Sequence, residues 1–85
     1  MLIKAKKIIG CQVVTQSNYH LGRVVDFDID SSRQNIIKYY VSTGLLGFAK
    51  SRLIINTGQI VEIQEKKVIV EDAVVSGKAT VEYAK

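Results

Sequence analysis

Apolar and polar residues alternate along most of this chain, whereas the spacing of an amphipathic helix is weak throughout. Such alternation indicates strands that bury one face and expose the other to solvent. We therefore expect about six short strands, rich in Val, Ile and Tyr. The positions expected to face the core are Ile9, Cys11 and Val13; Val25, Phe27 and Ile29; Ile37, Tyr39 and Val41; Leu53 to Ile55; Val61 and Ile63; and Val68 and Val70.

Polar connectors separate these apolar runs. The segment QSNYHLG contains Asn18, which tolerates positive φ, and Gly22, which adopts it freely. The segments DSSRQN and QEKK are typical of a polar turn and a short charged hairpin turn. Closely spaced strands in so short a chain predict an all-β fold, a small antiparallel β-barrel of about five to six strands. Rolling the sheet into a barrel buries one face and removes most exposed edges.

The chain has 85 residues, of which 47% are hydrophobic and 24% charged, as in an ordinary globular protein. We expect a single domain over residues 1–85, with its core at about 5–75 and a tail at 76–85. The tail also alternates, which allows an added strand on this barrel or on a neighbour's. A core of this size contributes roughly 3–5 kcal/mol, so self-association, with a homodimer as the expected form, would help to satisfy exposed edges.

The same composition predicts a cytoplasmic protein without membrane insertion. No apolar run approaches the roughly 18 residues that span a bilayer. The segment KAKKIIGC looks like a lipoprotein signal, but Lys7 is followed by only Ile8, Ile9 and Gly10 before the cysteine. A signal peptide needs an apolar stretch of about 7–15 residues. A single cysteine, Cys11, suits the reducing cytosol as a small core residue.

The three aspartates of DFDID, at positions 26, 28 and 30, raise the question of a metal site. A calcium loop of EF-hand type needs glycine at its sixth position and glutamate at its twelfth. Counting from Asp26, these positions hold Ser31 and Ile37. We therefore expect no metal and interpret Asp28 and Asp30 as a solvated strand face. Asp26 is expected to accept hydrogen bonds from backbone N–H groups near the Gly22 turn.

Candidate catalytic residues are few. His20 is the only histidine, and no partner at a triad spacing accompanies it, so a surface turn is the favoured interpretation. Cys11 lies in an alternating strand, where a cysteine is typically buried and inert. The segment TGLLGFAK lacks the spacing and the Lys-Ser/Thr ending of a phosphate-binding loop. The sequence therefore predicts no enzymatic activity, no catalytic residue and no cofactor.

The net charge of +4 is unevenly distributed. Residues 1–25 and 31–58 each contain four cations and no acid, while residues 26–30 contain three acids. The basic excess allows attraction to nucleic acid or to anionic surfaces. Small barrels bind single strands through aromatic rings flanked by cations. Lys38, Tyr39 and Tyr40, extended by Lys50 and Arg52, offer such a patch, although alternation allows at most one of the two tyrosines on the outer face.

The first half of the chain resembles the PRC-barrel domain, named after the H subunit of the photosynthetic reaction centre. The resemblance lies in the segment IIGCQVVTQSNYHLGRVVDFDIDSSRQNIIKYYVSTG, and the matching positions are Gly10, Val13, Gly22, Arg23, Val24 and Asp26. The segment RLIINTGQIVEIQEKKVIVEDAV resembles the second half more loosely. Two departures stand out: Asn18 replaces the usual glycine of the first turn, and the proline that often precedes the fourth strand is missing near Ile54 and Ile55.

The resemblance implies a protein-docking module. Related barrels serve that role in ribosome-maturation factors and in the reaction-centre H subunit. Others are small stand-alone prokaryotic proteins of unassigned role, and this chain is expected to belong with that group. By the same resemblance, Gly10, Asn18, Gly22 and Asp26 are structural turn residues. A small RNA-associated barrel is the alternative function.

The longest connector, STGLLGFAKSRL, allows two interpretations. Its apolar residues either plug one end of the barrel or dock a partner, because exposed apolar residues beside charges mark interaction sites. The candidate partner-binding residues are Leu45, Leu46, Phe48, Lys50 and Arg52.

Overall fold

The computed structural model describes residues 1–42, 51–74 and 80–83, with residues 51 and 80–83 described by their backbone alone. One short helix and seven strands are found in these ranges. They are α1 (Ala5–Ile8), β1 (Gln12–Thr15), β2 (His20–Asp30), β3 (Asn35–Ser42), β4 (Ser51–Asn56), β5 (Ile60–Ile63), β6 (Lys67–Val70) and β7 (Thr80–Tyr83). Single 3-10 turns at Thr57–Gln59 and Asp72–Val74 follow β4 and β6. The all-β prediction is confirmed.

The seven strands form one sheet in the order β5-β6-β1-β2-β3-β4-β7. Five of its six pairings are antiparallel, but β1 and β6 run parallel, with Gln12 opposite Lys67 and Thr15 opposite Val70. The prediction of a wholly antiparallel sheet is therefore wrong at this pairing. No hydrogen-bonded pairing joins β5 to β7 in the part of the chain described, so closure of the sheet into a barrel is not confirmed.

The tail adds a strand to this chain's own sheet. Strand β7 pairs antiparallel with β4, so that Ser51 lies opposite Tyr83 and Leu53 opposite Val81. This pairing answers the question that alternation in the tail left open. It also covers an edge of β4 that would otherwise present unpaired backbone groups to solvent.

The core lies on one face of the sheet and draws on every strand from β1 to β4 and on β6. Val13, Val41, Ile55 and Val70 are fully buried at its centre. Ile8 of α1 and Val74 of the second 3-10 turn close over the same cluster. Of the predicted core positions, those of β1 and β6 are buried, together with Tyr39, Val41, Leu53 and Ile55.

Several predicted core positions are instead exposed, and register shifts explain three of them. In β2, Val24 lies opposite Val41 and Asp26 opposite Tyr40, which leaves Val25 as an extra residue that is 42% exposed. A bulge of this kind opposes two residues to one and breaks the alternation along the strand. The prediction that Val25 faces the core is therefore wrong.

Bulges of the same kind occur in β3 and β5. Ile37 is the extra residue between Ile36 and Lys38 in the pairing with β2, and Val61 is the extra residue in the pairing of β5 with β6. Both side chains are exposed, against the prediction, and the partly buried Ile36 and Ile60 pack against the core beside them. Ile29, near the end of β2, and Ile9, which caps α1 before β1 begins, are exposed as well.

Candidate partner-binding surface

Most of the predicted docking loop lies outside the described residues. Leu45, Leu46, Phe48 and Lys50 fall there, so the plug and docking interpretations of this loop both stay predictions. Arg52 lies in β4 opposite Ser42 of β3. It therefore marks where this loop meets the sheet.

The two adjacent tyrosines of β3 lie on opposite faces of the sheet. Tyr39 is 4% exposed and packs on Phe27, with the two ring centroids 6.2 Å apart. Burial raises the pKa of the Tyr39 phenol. Tyr40 is half-buried on the outer face, where it lies opposite Asp26 of β2 and Ile54 of β4. Alternation along β3 thus presents one aromatic ring to the outer surface.

Tyr40 is the centre of a group of polar side chains from three strands. Its hydroxyl donates a hydrogen bond of 2.7 Å to Oδ2 of Asp28. Nζ of Lys38 lies 3.7 Å from the same oxygen and 5.9 Å from the centroid of the Tyr40 ring. The guanidinium carbon of Arg52 lies 5.1 Å from that centroid, within the range of a cation–π contact. We call Asp28, Lys38, Tyr40 and Arg52 the Tyr40 cluster.

Electrostatics keep the Tyr40 phenol protonated. The hydrogen bond to Asp28 raises the pKa of Tyr40, and the nearby charge of Lys38 opposes this effect only in part. A neutral phenol is needed for the hydroxyl to donate to a carboxylate. Two cations and one carboxylate leave the cluster with a formal charge of +1. Asp26 of β2, opposite Tyr40, is exposed and offsets this charge, so the surface carries both signs around one aromatic ring.

Exposed aliphatic side chains lie on the same two strands as the Tyr40 cluster. Val25, Ile29 and Ile37 are 42%, 58% and 44% exposed, respectively. Ile29 and Ile37 are sequence neighbours of Asp28 and Lys38, the acid and base of the cluster. Ile29 lies opposite Ile36, which packs against the core, so Ile29 is on the other face of the sheet from Tyr40. We call the Tyr40 cluster together with Val25 and Ile37 the β2–β3 surface. It combines aromatic, cationic and aliphatic groups on the two longest strands described.

Of the four predicted turn residues, Gly10 and Asn18 lie in connecting segments, whereas Gly22 and Asp26 lie within β2. Gly10 has φ of +91° and donates its N–H to the carbonyl of Val24 at 2.7 Å. No atom lies within 4 Å of the position of an added Cβ there, so backbone conformation is the reason for glycine. Asn18 adopts φ of 69° in the β1–β2 turn, and Gly22 adopts φ of 149°. Asp26 accepts a hydrogen bond of 2.9 Å from the N–H of Phe27, immediately after the bulge.

One pair of polar residues that the sequence did not reveal joins the segment after β1 to the segment after β6, at the same end of these parallel strands. Asp72 accepts a hydrogen bond of 2.9 Å from the N–H of Ser17 and one of 2.8 Å from its hydroxyl. These bonds lower the pKa of the Asp72 carboxyl. The partners are 55 positions apart, so no local motif indicates the pair.

The residues weighed for catalysis remain apart from one another. His20 is exposed at the start of β2. Cys11 is buried, as predicted, and its Sγ donates to the carbonyl of Lys7 at 2.9 Å. In the described ranges, no group of three or more His, Cys, Asp or Glu side chains is placed to hold a metal ion.

Comparison with known families defines the class of this protein. The model of the PRC-barrel domain matches residues 1–75, which is most of the chain. This chain therefore belongs to the PRC-barrel domain family, as its sequence pattern predicts. A search of curated proteins found no match. No helix in the described part of the chain is long and apolar enough to cross a membrane.

Proposed function

We propose that this PRC-barrel domain is a non-catalytic, cytosolic docking module that binds a protein partner through the β2–β3 surface. The observation that carries the proposal is the composition of this surface. Tyrosine and arginine are enriched among the residues that dominate binding energy in protein interfaces, and neighbouring aliphatic side chains exclude water around them. Tyr40, Arg52, Val25 and Ile37 supply this combination.

The bulges support this assignment because they expose aliphatic residues that regular pairing would bury. Val25 and Ile37 are each the extra residue at a shift in the β2–β3 register. Bulges commonly re-aim side chains near functional sites. An exposed isoleucine contributes little to folding, so its use is better explained by an interface than by the stability of the domain.

The Tyr40 cluster supports the proposal through its internal order. The Asp28 hydrogen bond and the two nearby cations restrict the Tyr40 side chain before a partner binds. Side chains that are already ordered lose less conformational entropy on association. Lys38 and Arg52 offer two cations to a partner that presents a carboxylate beside an apolar patch.

The alternative function, an RNA-associated barrel, is less well supported by this geometry. Stacking of a base needs an open aromatic face. Lys38 and Arg52 both lie near the Tyr40 ring, and the second tyrosine of the strand is buried in the core. Steep loss of binding with salt would point to RNA, whereas a partner held by apolar contacts tolerates salt.

The test uses the full chain as bait in a lysate of the native organism, followed by affinity measurement with the purified partner. We expect Tyr40→Ala and the double variant Val25→Ser/Ile37→Ser each to weaken binding by roughly tenfold or more. Val61→Ser is the matched control, because Val61 is 47% exposed at a bulge on a different strand. Equal loss of binding in the control and in the surface variants contradicts the proposal.

A further inference from the structure

A second charged surface lies at the end of the sheet where β1 begins. Gln12 lies opposite Arg23 on one side and opposite Lys67 on the other, so one row across three strands carries two cations. Side chains of residues in register lie on the same face of a sheet. Nη1 of Arg23 donates to the carbonyl of Gly10 at 2.9 Å, which places this row beside the N-terminal segment.

The N-terminal segment and the β5–β6 turn extend the charge of this row. Lys4, Lys6 and Lys7 are exposed around α1, and an open cleft of about 400 Å³ brings residues 1–4 and Lys7 next to Glu65 of the turn. With Lys66 in the turn and Lys67 at the start of β6, these two segments contain five cations against the acids Glu62 and Glu65. We call this set, with Arg23, the basic end of the molecule.

Apolar side chains project from the basic end into solvent. Met1 is 89% exposed, Leu2 is fully exposed, and Ile9 is 41% exposed. Leucine beside several lysines is the combination that adsorbs to the interface of an anionic bilayer, with the cations at the headgroups and the apolar groups among the acyl chains. The exposed Met1 and Leu2 side chains have no comparable role on a nucleic acid, whose stacking sites use aromatic residues.

We propose that the basic end binds the surface of anionic phospholipid membranes, with Leu2 inserting at the level of the headgroups. This is adsorption to one leaflet and does not require a spanning segment. Each cation close to an anionic leaflet raises partitioning roughly fivefold, and each buried apolar side chain adds several-fold more. The basic end shares no residue with the β2–β3 surface.

The experiment is flotation of the full chain with vesicles of phosphatidylcholine mixed with phosphatidylserine, compared with vesicles of phosphatidylcholine alone. We expect binding to the mixed vesicles only. Lys4→Gln/Lys7→Gln should lower partitioning roughly twenty-fivefold, which is the product of two fivefold effects. Arg33→Gln removes one cation from the exposed β2–β3 turn and should lower partitioning far less than the single variant Lys4→Gln.

Leu2→Ser distinguishes binding to a membrane from binding to RNA, because it removes an apolar side chain and leaves the charge of the protein unchanged. It should weaken vesicle binding several-fold without altering any binding to a homopolymeric RNA. The altered side chains are exposed, so all variants should keep the melting temperature of the unmodified chain. Absence of binding to the mixed vesicles, a loss in Arg33→Gln equal to that in Lys4→Gln, or an unchanged affinity of Leu2→Ser would each overturn the proposal.

Discussion

Asp72 joins the turn after β1 to the turn after β6 through one side chain. Its two hydrogen bonds from Ser17 favour the carboxylate and lower its pKa below the ordinary value of 3.8. The resulting contribution to the unfolding free energy is fully present above that value and is lost as pH falls through the lower pKa of the folded state. Because Ser17 and Asp72 are far apart in sequence, their hydrogen bonds also stabilise the non-local, parallel pairing of β1 with β6.

We therefore expect Asp72→Asn to lower the melting temperature near neutral pH and to differ less from the unmodified chain as the solution is acidified below about pH 4. Thermal unfolding followed by circular dichroism over this pH range measures the effect. Glu71→Gln is the control, since it removes the same charge one residue away. A difference between Asp72→Asn and the unmodified chain that stays constant into acid would contradict this account.

The hydrogen bond between Tyr40 and Asp28 can be tested at alkaline pH, where the Tyr40 phenol titrates. The hydrogen bond to Asp28 raises its pKa above the ordinary value of 10.0. The stabilising effect is complete below that value and is lost as pH rises through the pKa of the folded state. Asp28→Asn should therefore lower the pKa of Tyr40 toward 10.0. Ultraviolet titration of tyrosinate measures this, and Tyr40→Phe identifies which transition belongs to Tyr40. An unchanged transition in Asp28→Asn would show that Asp28 does not control the phenol.

Among the structural elements, the strands were predictable from alternation, but the side that each residue faces was not always so. Tyr39 and Val41 obey the pattern because they follow the bulge of β3, whereas Ile37 is the bulge. A bulge is a property of a pair of strands, so the sequence of either strand alone does not show it. The parallel β1–β6 pairing was missed for a similar reason, since it joins segments with four strands between them in the chain.

The burial of Ile55 and the exposure of Ile37 have a measurable consequence for stability. Ile55 is fully buried at the centre of the core, so Ile55→Ala should lower the unfolding free energy by about 2–5 kcal/mol through loss of contacts and a cavity. Ile37→Ala removes the same atoms from an exposed bulge and should cost no more than about 0.5 kcal/mol. Urea unfolding compares the two variants, provided that the slope of the unfolding free energy against urea concentration is the same in both. Similar losses would place Ile37 in the core, as alternation alone predicts.

At the scale of the whole molecule, charge is separated along the fold. The cations of the basic end gather from three segments, while Asp26, Asp28 and Asp30 lie toward the far end of β2. Uneven charge along the chain was visible in the sequence, but convergence of Arg23 and Lys67 on one row depends on the register of β1 with both its neighbours. The candidate partner residues Lys38, Tyr40 and Arg52 likewise meet only through the β2–β3–β4 register.

Self-association of the chain stays a prediction, and the position of β7 changes how it should be tested. Since β7 covers the edge of β4 within the same chain, deletion of residues 77–85 would expose backbone groups beside the buried Leu53 and Ile55. An uncovered edge strand with buried aliphatic neighbours is a template for pairing with a second copy. We therefore expect the shortened chain to melt at a lower temperature and to sediment as larger species than the full chain at equal micromolar concentration. A shortened chain with an unchanged melting temperature and no larger species would mean that β7 does not protect this edge. If deletion instead converted a dimer of the full chain to monomer, the tail would belong to the interface between copies.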